Sequence, residues 1–377
     1  LEQAKSDDKN LEDAISSVQK ELTEASKVVA STESTLTDAT SKAERTQTAL
    51  EKAQDTFTVA EASYKSINTF QVTDEYVNAL KSYVNNPYDI LDERDKWKEH
   101  REKVESILKS VNQENLNLNK FKGNANDKAI SVDANNLTTE QMTELSLFAS
   151  DLLNQIRERF GTPKTVVTKG MIQVADEVTD GYVADDWGFG KGHDNKAINN
   201  VARKYGLPNY LENLNSVNSG DEIHTMYDAK KWVYESISDL LFNGWEWLHA
   251  QSITGLTSEG ANKEYFALGL SSVTGRTSAH FLTVSDKQVS GNKLDKTEVP
   301  NTNSVESIVK AYNTANSALL NAQTVNSQAQ REKTSASTEN IKAKGNQATI
   351  EKRLNALKAT PLKTPTAERN LANAKNT

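Results

Sequence analysis

The sequence predicts an α+β domain inserted between the two arms of a long antiparallel coiled coil. Three observations carry that prediction. An apolar seam of period 3.5 runs from Leu11 to Ile67, a similar seam fills the C-terminal part, and the aromatic, histidine and glycine residues gather between them. In the first arm, steps of four and three lead from Leu11 through Ile15, Val18, Leu22, Ala25 and Val29 to Ile67, and fifteen of the seventeen positions are apolar, the exceptions being Thr32 and Thr46. Between them lie mostly Glu, Lys, Asp, Gln, Ser and Thr, and no Pro or Gly falls between Leu11 and Ile67. A seam sustained at that period marks a coiled coil, because globular helices seldom run unbroken past about 25 residues.

The C-terminal arm repeats the device with smaller side chains. Ile308, Ala311, Ala315, Ala318, Ala322, Val325, Ala329, Ala336, Ala343, Ile350 and Leu357 fall on one seam, interrupted by Glu332, Glu339, Asn346 and Arg353. Alanine allows close helix approach but buries little area, so this arm needs a partner. Gly345 weakens it, and Pro361 and Pro365 end it or introduce a joint. Each arm is about 55 residues, roughly 80–85 Å of helix. Equal arms flanking an insert predict an intramolecular antiparallel hairpin; a homodimer through the coiled coil is the competing arrangement.

Composition excludes several classes. A net charge of −8 over 377 residues argues against duplex nucleic-acid binding, which needs a concentrated basic surface. No apolar run approaches the ~18–20 residues that span a bilayer. The absence of cysteine excludes disulfides, thiolate zinc sites and a cysteine nucleophile, without settling the compartment. The chain opens on Leu1 inside a repeat and closes in a polar tail, which reads as a fragment of something longer.

The expected organisation is a coiled-coil arm over 1–70, a helical transition and linker over 71–136, the α+β domain over 137–290, a linker over 291–303 and the returning arm over 304–377. In the transition, Thr73 caps a helix through about Val84, Asn86-Pro87 breaks it, Tyr88–Phe121 reads as a charged helix and the turn-rich Gly123–Asn136 reads as the linker. From Leu137 to about Val289 lie four of the five Trp and four of the five His. Thr138-Thr-Glu-Gln141 is a capping box, followed by the apolar face Met142, Leu145, Phe148, Ala149, Leu152, Leu153 and Ile156. Thr165–Val167 is a short strand, and helices follow near 169–178, 196–205 and 228–241. Tyr265–Leu270 and Ala279–Val284 alternate as strands around Thr274-Gly-Arg276, a hairpin.

The chemistry-bearing residues come in a fixed order. There is no His-Glu-x-x-His helix, Gly-x-Ser-x-Gly elbow, phosphate-binding glycine loop or EF-hand loop. Instead the chain reads Gly192-His193-Asp194, Tyr210-Leu-Glu-Asn-Leu214, Trp232-Val-Tyr-Glu-Ser236 and Trp245-Glu-Trp-Leu-His249. Imidazoles and carboxylates converging in a cleft either hold a divalent metal such as Zn²⁺ with an open position for water, or relay protons without metal.

In that order, over about 150 of the 377 residues, the chain resembles the CAP superfamily of cysteine-rich secretory, antigen 5 and pathogenesis-related proteins. It is most similar to the cysteine-free bacterial branch found in surface exclusion proteins of Gram-positive conjugative plasmids. Leu153-Asn-Gln-Ile-Arg157, Gly161-Thr-Pro163 and Ala175 fit the family's first two helices, and Glu212-Asn-Leu214 is its most specific piece, with Leu211 where the family usually has Gly. Trp232, Ser236 and His249 match the bacterial Trp, Ser and His steps at stretched spacing, with Leu248 in place of Gly.

The resemblance implies an α-β-α sandwich with an open cleft lined by two His and two acids. Carried over residue by residue, these are His193, Glu212 and His249, with Glu235 as second acid and Glu246, one turn before His249, as its competitor. His193, Glu212 and His249 are also the implied metal set. His280 stands in reserve on the last strand, His224 reads as a surface or capping residue, and Tyr182, Trp187 and Phe189 read as core or loop anchors rather than a ligand wall. The function implied is that of a cell-surface protein, wall-anchored when full length, whose head meets adhesins or other surface proteins of the same or neighbouring cells and limits conjugative plasmid transfer. The alternatives are a peptidase working on an adhesin or wall substrate through the His/Glu cleft, and a lipid- or glycan-binding adhesin.

Overall fold

The structure, a computed structural model, describes residues 1–216, 223–258 and 260–375. In chain order the elements begin with α1 (Glu2–Lys65), α2 (Asp74–Val84), α3 (Arg94–Ser110), α4 (Asn112–Leu118), α5 (Thr139–Phe160) and β1 (Thr165–Val167). They continue with α6 (Lys169–Ala184), α7 (Asn195–Tyr205), β2 (Glu212–Ser216), α8 (Met226–Phe242) and α9 (Leu248–Ile253). β3 (Glu264–Val273), β4 (Arg276–Ser285), α10 (Val305–Lys358) and α11 (Thr364–Lys375) complete the chain. Two compact units result: Leu1–Thr58 with Asn313–Thr377, and Val59–Tyr312.

In the first unit α1 and α10 lie antiparallel. Arg353 pairs with Glu21, Lys344 with Glu33 at 2.7 Å and Lys42 with Glu332 at 2.6 Å, so the partner number falls as the α1 number rises. The α1 seam is the predicted one: Val18, Ala25, Val29 and Ala43 are buried. The α10 seam is the predicted one only at alternate steps, Ala315, Ala329 and Ala336 among them. Ala315, Leu319, Asn326, Ala329, Ala336, Asn340 and Leu354 are its buried residues, whereas Val325 is 43% exposed and Glu332, Glu339, Asn346 and Arg353 lie off it. The reason stands opposite, on α1. The hydroxyl of Thr46 donates to Asn326 Oδ1 at 3.0 Å and that of Thr32 to Asn340 Oδ1 at 3.1 Å, so each asparagine enters the seam with a partner. At the far end Asp8 accepts from the backbone N–H groups of Lys363 and Thr364 and caps α11.

The second unit is α+β. Its sheet has the order β1-β3-β4-β2, with β1 parallel to β3 and the other pairs antiparallel. Thr274 and Gly275 both take positive φ, 54° and 75°, and join β3 to β4 in a two-residue hairpin turn. α5 opens with the predicted capping box between Thr138 and Gln141 and packs on β1, β3 and α8. α6 packs on β3 and β4, and a Cβ at Gly269 would come within 2.7 Å of Thr179 on α6, so that approach requires glycine. Arg157, wholly buried, ties three elements together: it pairs with Glu264 of β3 at 2.6 Å and donates to the carbonyls of Ile253 and Pro163 at 3.1 and 2.9 Å.

The stretches 71–136 and 291–303, expected as transition and linkers, belong instead to this unit. Tyr76, Val77, Leu80, Tyr83, Val104, Leu108, Val132 and Ala134 are buried in its single core. Their polar neighbours are satisfied inside the fold. Asn115, fully buried, accepts from Thr73 N at 2.9 Å, and Asn119 exchanges two bonds of 2.8 Å with the Gln71 backbone. Tyr88–Phe121 forms two helices, α3 and α4, rather than one. Leu294 is buried, Asp295 O accepts from Gly170 N at 2.9 Å and Val299 N donates to Val167 O at 2.9 Å, making 291–303 a strap along β1 and the start of α6. Among the described residues no helix is long and apolar enough to cross a membrane.

Candidate functional site

An open cavity of about 1010 Å³ lies in the second unit beside β2, α8 and the start of α9. His193, Glu235, Glu246 and His249 line it, together with Phe189, Trp232, Trp245, Asp239 and Arg276. Its histidines arrive by different routes.

His193 is set by the loop between α6 and α7. Trp187 Nε1 donates to Gly192 O at 3.0 Å, closing that loop, and Gly192 takes φ 72° just before the histidine. Asp194 then caps α7, accepting from Lys196 N at 2.9 Å and Ala197 N at 3.1 Å. The ring of His193 is thereby held with Nδ1 2.7 Å from Glu212 Oε2 and its side chain 41% exposed.

Glu212 opens β2. Its pairing opposite Leu282 puts it on the same face as His280, two residues along β4. Glu212 Oε1 receives His280 Nδ1 at 2.7 Å, and Oε2 also accepts the Tyr182 hydroxyl at 2.6 Å. Tyr182 in turn accepts from Asp194 N at 2.7 Å, and His280 Nε2 lies 2.7 Å from Ser271 Oγ. Burial alone would raise the carboxyl's pKa. His280 and the hydrogen bonds from His193, His280 and Tyr182 outweigh it and hold Glu212 well below the usual carboxylate range. The same bond to Glu212 raises the pKa of His193 against the opposing effect of burial. Because the carboxylate only accepts, each ring nitrogen facing it is a protonated Nδ1.

The second dyad is local. Glu246 Oε2 accepts from Leu248 N at 2.8 Å, capping α9, while Oε1 receives His249 Nδ1 at 2.8 Å and Asn243 Nδ2 at 2.7 Å. Burial pushes the Glu246 pKa up, but the bond and charge of His249 prevail and bring it to about 2. The two histidines therefore share one design: Nδ1 held by a carboxylate, and Nε2 without a hydrogen bond to any described residue. A carboxylate behind Nδ1 fixes the tautomer.

The structure thus brings His193 to Glu212 and places His249 on the same cavity, but it changes the partners expected from sequence. Glu246, not Glu235, is the acid paired with His249. Glu235 sits one helical turn from Lys231 on α8, half-exposed, with their charges 3.7 Å apart. The expected metal set of His193, Glu212 and His249 does not assemble, since both oxygens of Glu212 are engaged by His193, His280 and Tyr182. Among the described residues no three His, Asp or Glu side chains are arranged to hold a metal ion. His280, the reserve residue, is fully buried as the second imidazole on Glu212, and Tyr182 is a member of the network rather than a plain core anchor. Asp239, missed in the sequence, lines the cavity one turn beyond Glu235, accepts from Asn215 at 3.1 Å and has its pKa raised by burial. Helical spacing from Trp232 and Glu235 was the available signal.

No family model and no curated protein matches the chain. Among solved structures it is similar to the CAP domain of Enterococcal PrgA, at 20% identity and a TM-score of 0.44, over 55% of this chain and 89% of that one. A likeness of that degree carries no argument about what the cavity does, which rests on the two His–Glu dyads.

Proposed function

We propose that the chain is a cell-surface protein whose CAP-like head engages a partner protein in this cavity while the paired helices serve as its stalk. By the resemblance of its motifs, the partner is a surface protein of the same or a neighbouring cell and the outcome is surface exclusion, a limit on conjugative plasmid transfer. The observation that carries the reading is two carboxylate-held imidazoles opening on one cavity of about 1010 Å³, with Phe189 and Trp245 at its wall. That volume stands at the upper end of ligand pockets, room for a short peptide segment.

The dyads favour a second reading of the same contact, hydrolysis of a peptide bond in the partner. With Nδ1–H held by Glu212 or Glu246, Nε2 of a neutral His193 or His249 takes a proton from water as the water attacks the carbonyl, and the imidazolium returns it to the leaving amine. Such general base catalysis contributes about 10²–10⁴-fold.

Plasmid transfer into cells displaying the chain tests the first reading. Display should lower transfer frequency, and His193→Ala with His249→Ala should restore it at least tenfold. Equal transfer with and without the displayed chain contradicts exclusion, and full exclusion by the double variant contradicts the cleft. Mass spectrometry of donor surface proteins after exposure separates capture from cutting: new termini made by the wild type and absent with the double variant support hydrolysis.

A further inference from the structure

A second cavity, of about 320 Å³, lies away from the histidines, between the C-terminal end of α1, α5, the 121–127 loop and the 301–308 segment. Its walls are apolar in part, from Phe121, Leu147, Phe148 and Ile308. Its charges are unevenly matched. Two cations, Lys122 and Lys230, line it against Asp127, Glu144 and Asp151, and Lys230 is shared between Asp127 at 3.0 Å and Glu144 at 2.6 Å. Asp151, on the same wall, has only a neutral partner, Asn301 Nδ2 at 2.9 Å on Oδ2, and Oδ1 makes no hydrogen bond to a described residue. A partly buried carboxylate without a cation favours one that arrives with a ligand. In keeping with this, burial raises the pKa of Asp151.

We propose that this cavity binds a small organic cation, a primary ammonium on a compact apolar body, with the ammonium on Asp151 and the body against Phe148 and Leu147. The volume stands at the low end of ligand pockets and suits a molecule of about ten to twenty non-hydrogen atoms. The site is independent of the His–Glu cavity: none of its lining residues is shared with it.

The probe is 2-phenylethylamine, titrated calorimetrically into the full chain, with 2-phenylethanol as its uncharged counterpart. The amine should bind with a dissociation constant on the order of millimolar, the range open to so small a ligand, and the alcohol at least tenfold more weakly. Asp151→Asn, which keeps the side-chain shape, should cut amine affinity at least tenfold, whereas His193→Ala should leave it unchanged. Equal binding of amine and alcohol by the wild type overturns the ammonium assignment whatever the variant does. Undiminished binding by a folded Asp151→Asn chain, or no binding by the wild type, overturns the site.

Discussion

In the paired helices the polar side chains taken out of water are Asp8, which caps α11, and in the seam Asn326 and Asn340, 8% and 6% exposed, each facing a threonine of the other helix. In the second unit they include, besides amides such as Asn115 and Asn119, the ion pair of Arg157 with Glu264 and the hydrogen-bonded pair of Glu212 with His280, whose side chains are 4% exposed or less. The two sets do different work. A neutral amide in a helical seam costs some stability and selects one alignment, because only one register gives it a partner. A buried ion pair holds side chains from distant segments in one orientation, and losing either member leaves an uncompensated charge in the core. The seam asparagines of the first unit fix register, whereas the buried pairs of the second fix side-chain orientation.

The largest expected effect breaks the second kind. Glu264→Ala strands the Arg157 guanidinium and should destabilise the globular unit by about 3–5 kcal/mol, read from urea denaturation. A loss below about 1 kcal/mol, the size of an exposed pair, would show that Arg157 is held by its carbonyl partners alone.

A smaller effect of opposite sign should come from the helices. Asn326→Leu with Asn340→Leu removes two polar groups from the seam and should raise the stability of the pair by on the order of 1 kcal/mol, while loosening its alignment. The chain has no cysteine, so spin labels can be placed at single introduced cysteines on α1 and α10. One narrow distance in the parent and a broadened or split distribution in the double variant are expected. A single unchanged distance in the variant would remove the register role of the asparagines.

The same contrast explains what was legible in the sequence. The α1 seam is local periodicity, and Val18, Ala25, Val29 and Ala43 are buried where it predicts. The α10 seam was misread by one position on every second step, because composition favours Val325 over Asn326, and only the facing Thr46 makes the asparagine the buried residue. The 71–136 stretch reads from sequence as a helical transition and linker, because Tyr88–Phe121 is charged and Gly123–Asn136 is turn-rich. Asn115 and Asn119 are polar inward, paired to the backbone at Thr73 and Gln71. At the site, motif order gave His193, Glu212 and His249. It could not give the partners, since His280 reaches Glu212 through the β2–β4 register and Tyr182 reaches it across the α6–α7 loop. Glu246 was within reach of the sequence, standing three residues before His249 as the competitor of Glu235.

The central claim is that His193 and His249, both lining the cavity, each keep Nδ1 protonated against a carboxylate and leave Nε2 without a hydrogen bond to a described residue. Long-range ¹H–¹⁵N spectra of the imidazole side chains, assigned with single His→Gln variants, measure this directly. On the alkaline side of their titrations both rings should carry the proton on Nδ1 and the lone pair on Nε2. His193 should titrate above the ordinary 6.5, since its bond to Glu212 raises it. By linkage, the stability that this pair adds is then complete below about pH 6.5 and is lost as pH rises through the folded-state value. The opposite tautomer, with the proton on Nε2 of either ring, or a His193 titrating below 6.5, would contradict the arrangement on which the cleft's function is argued.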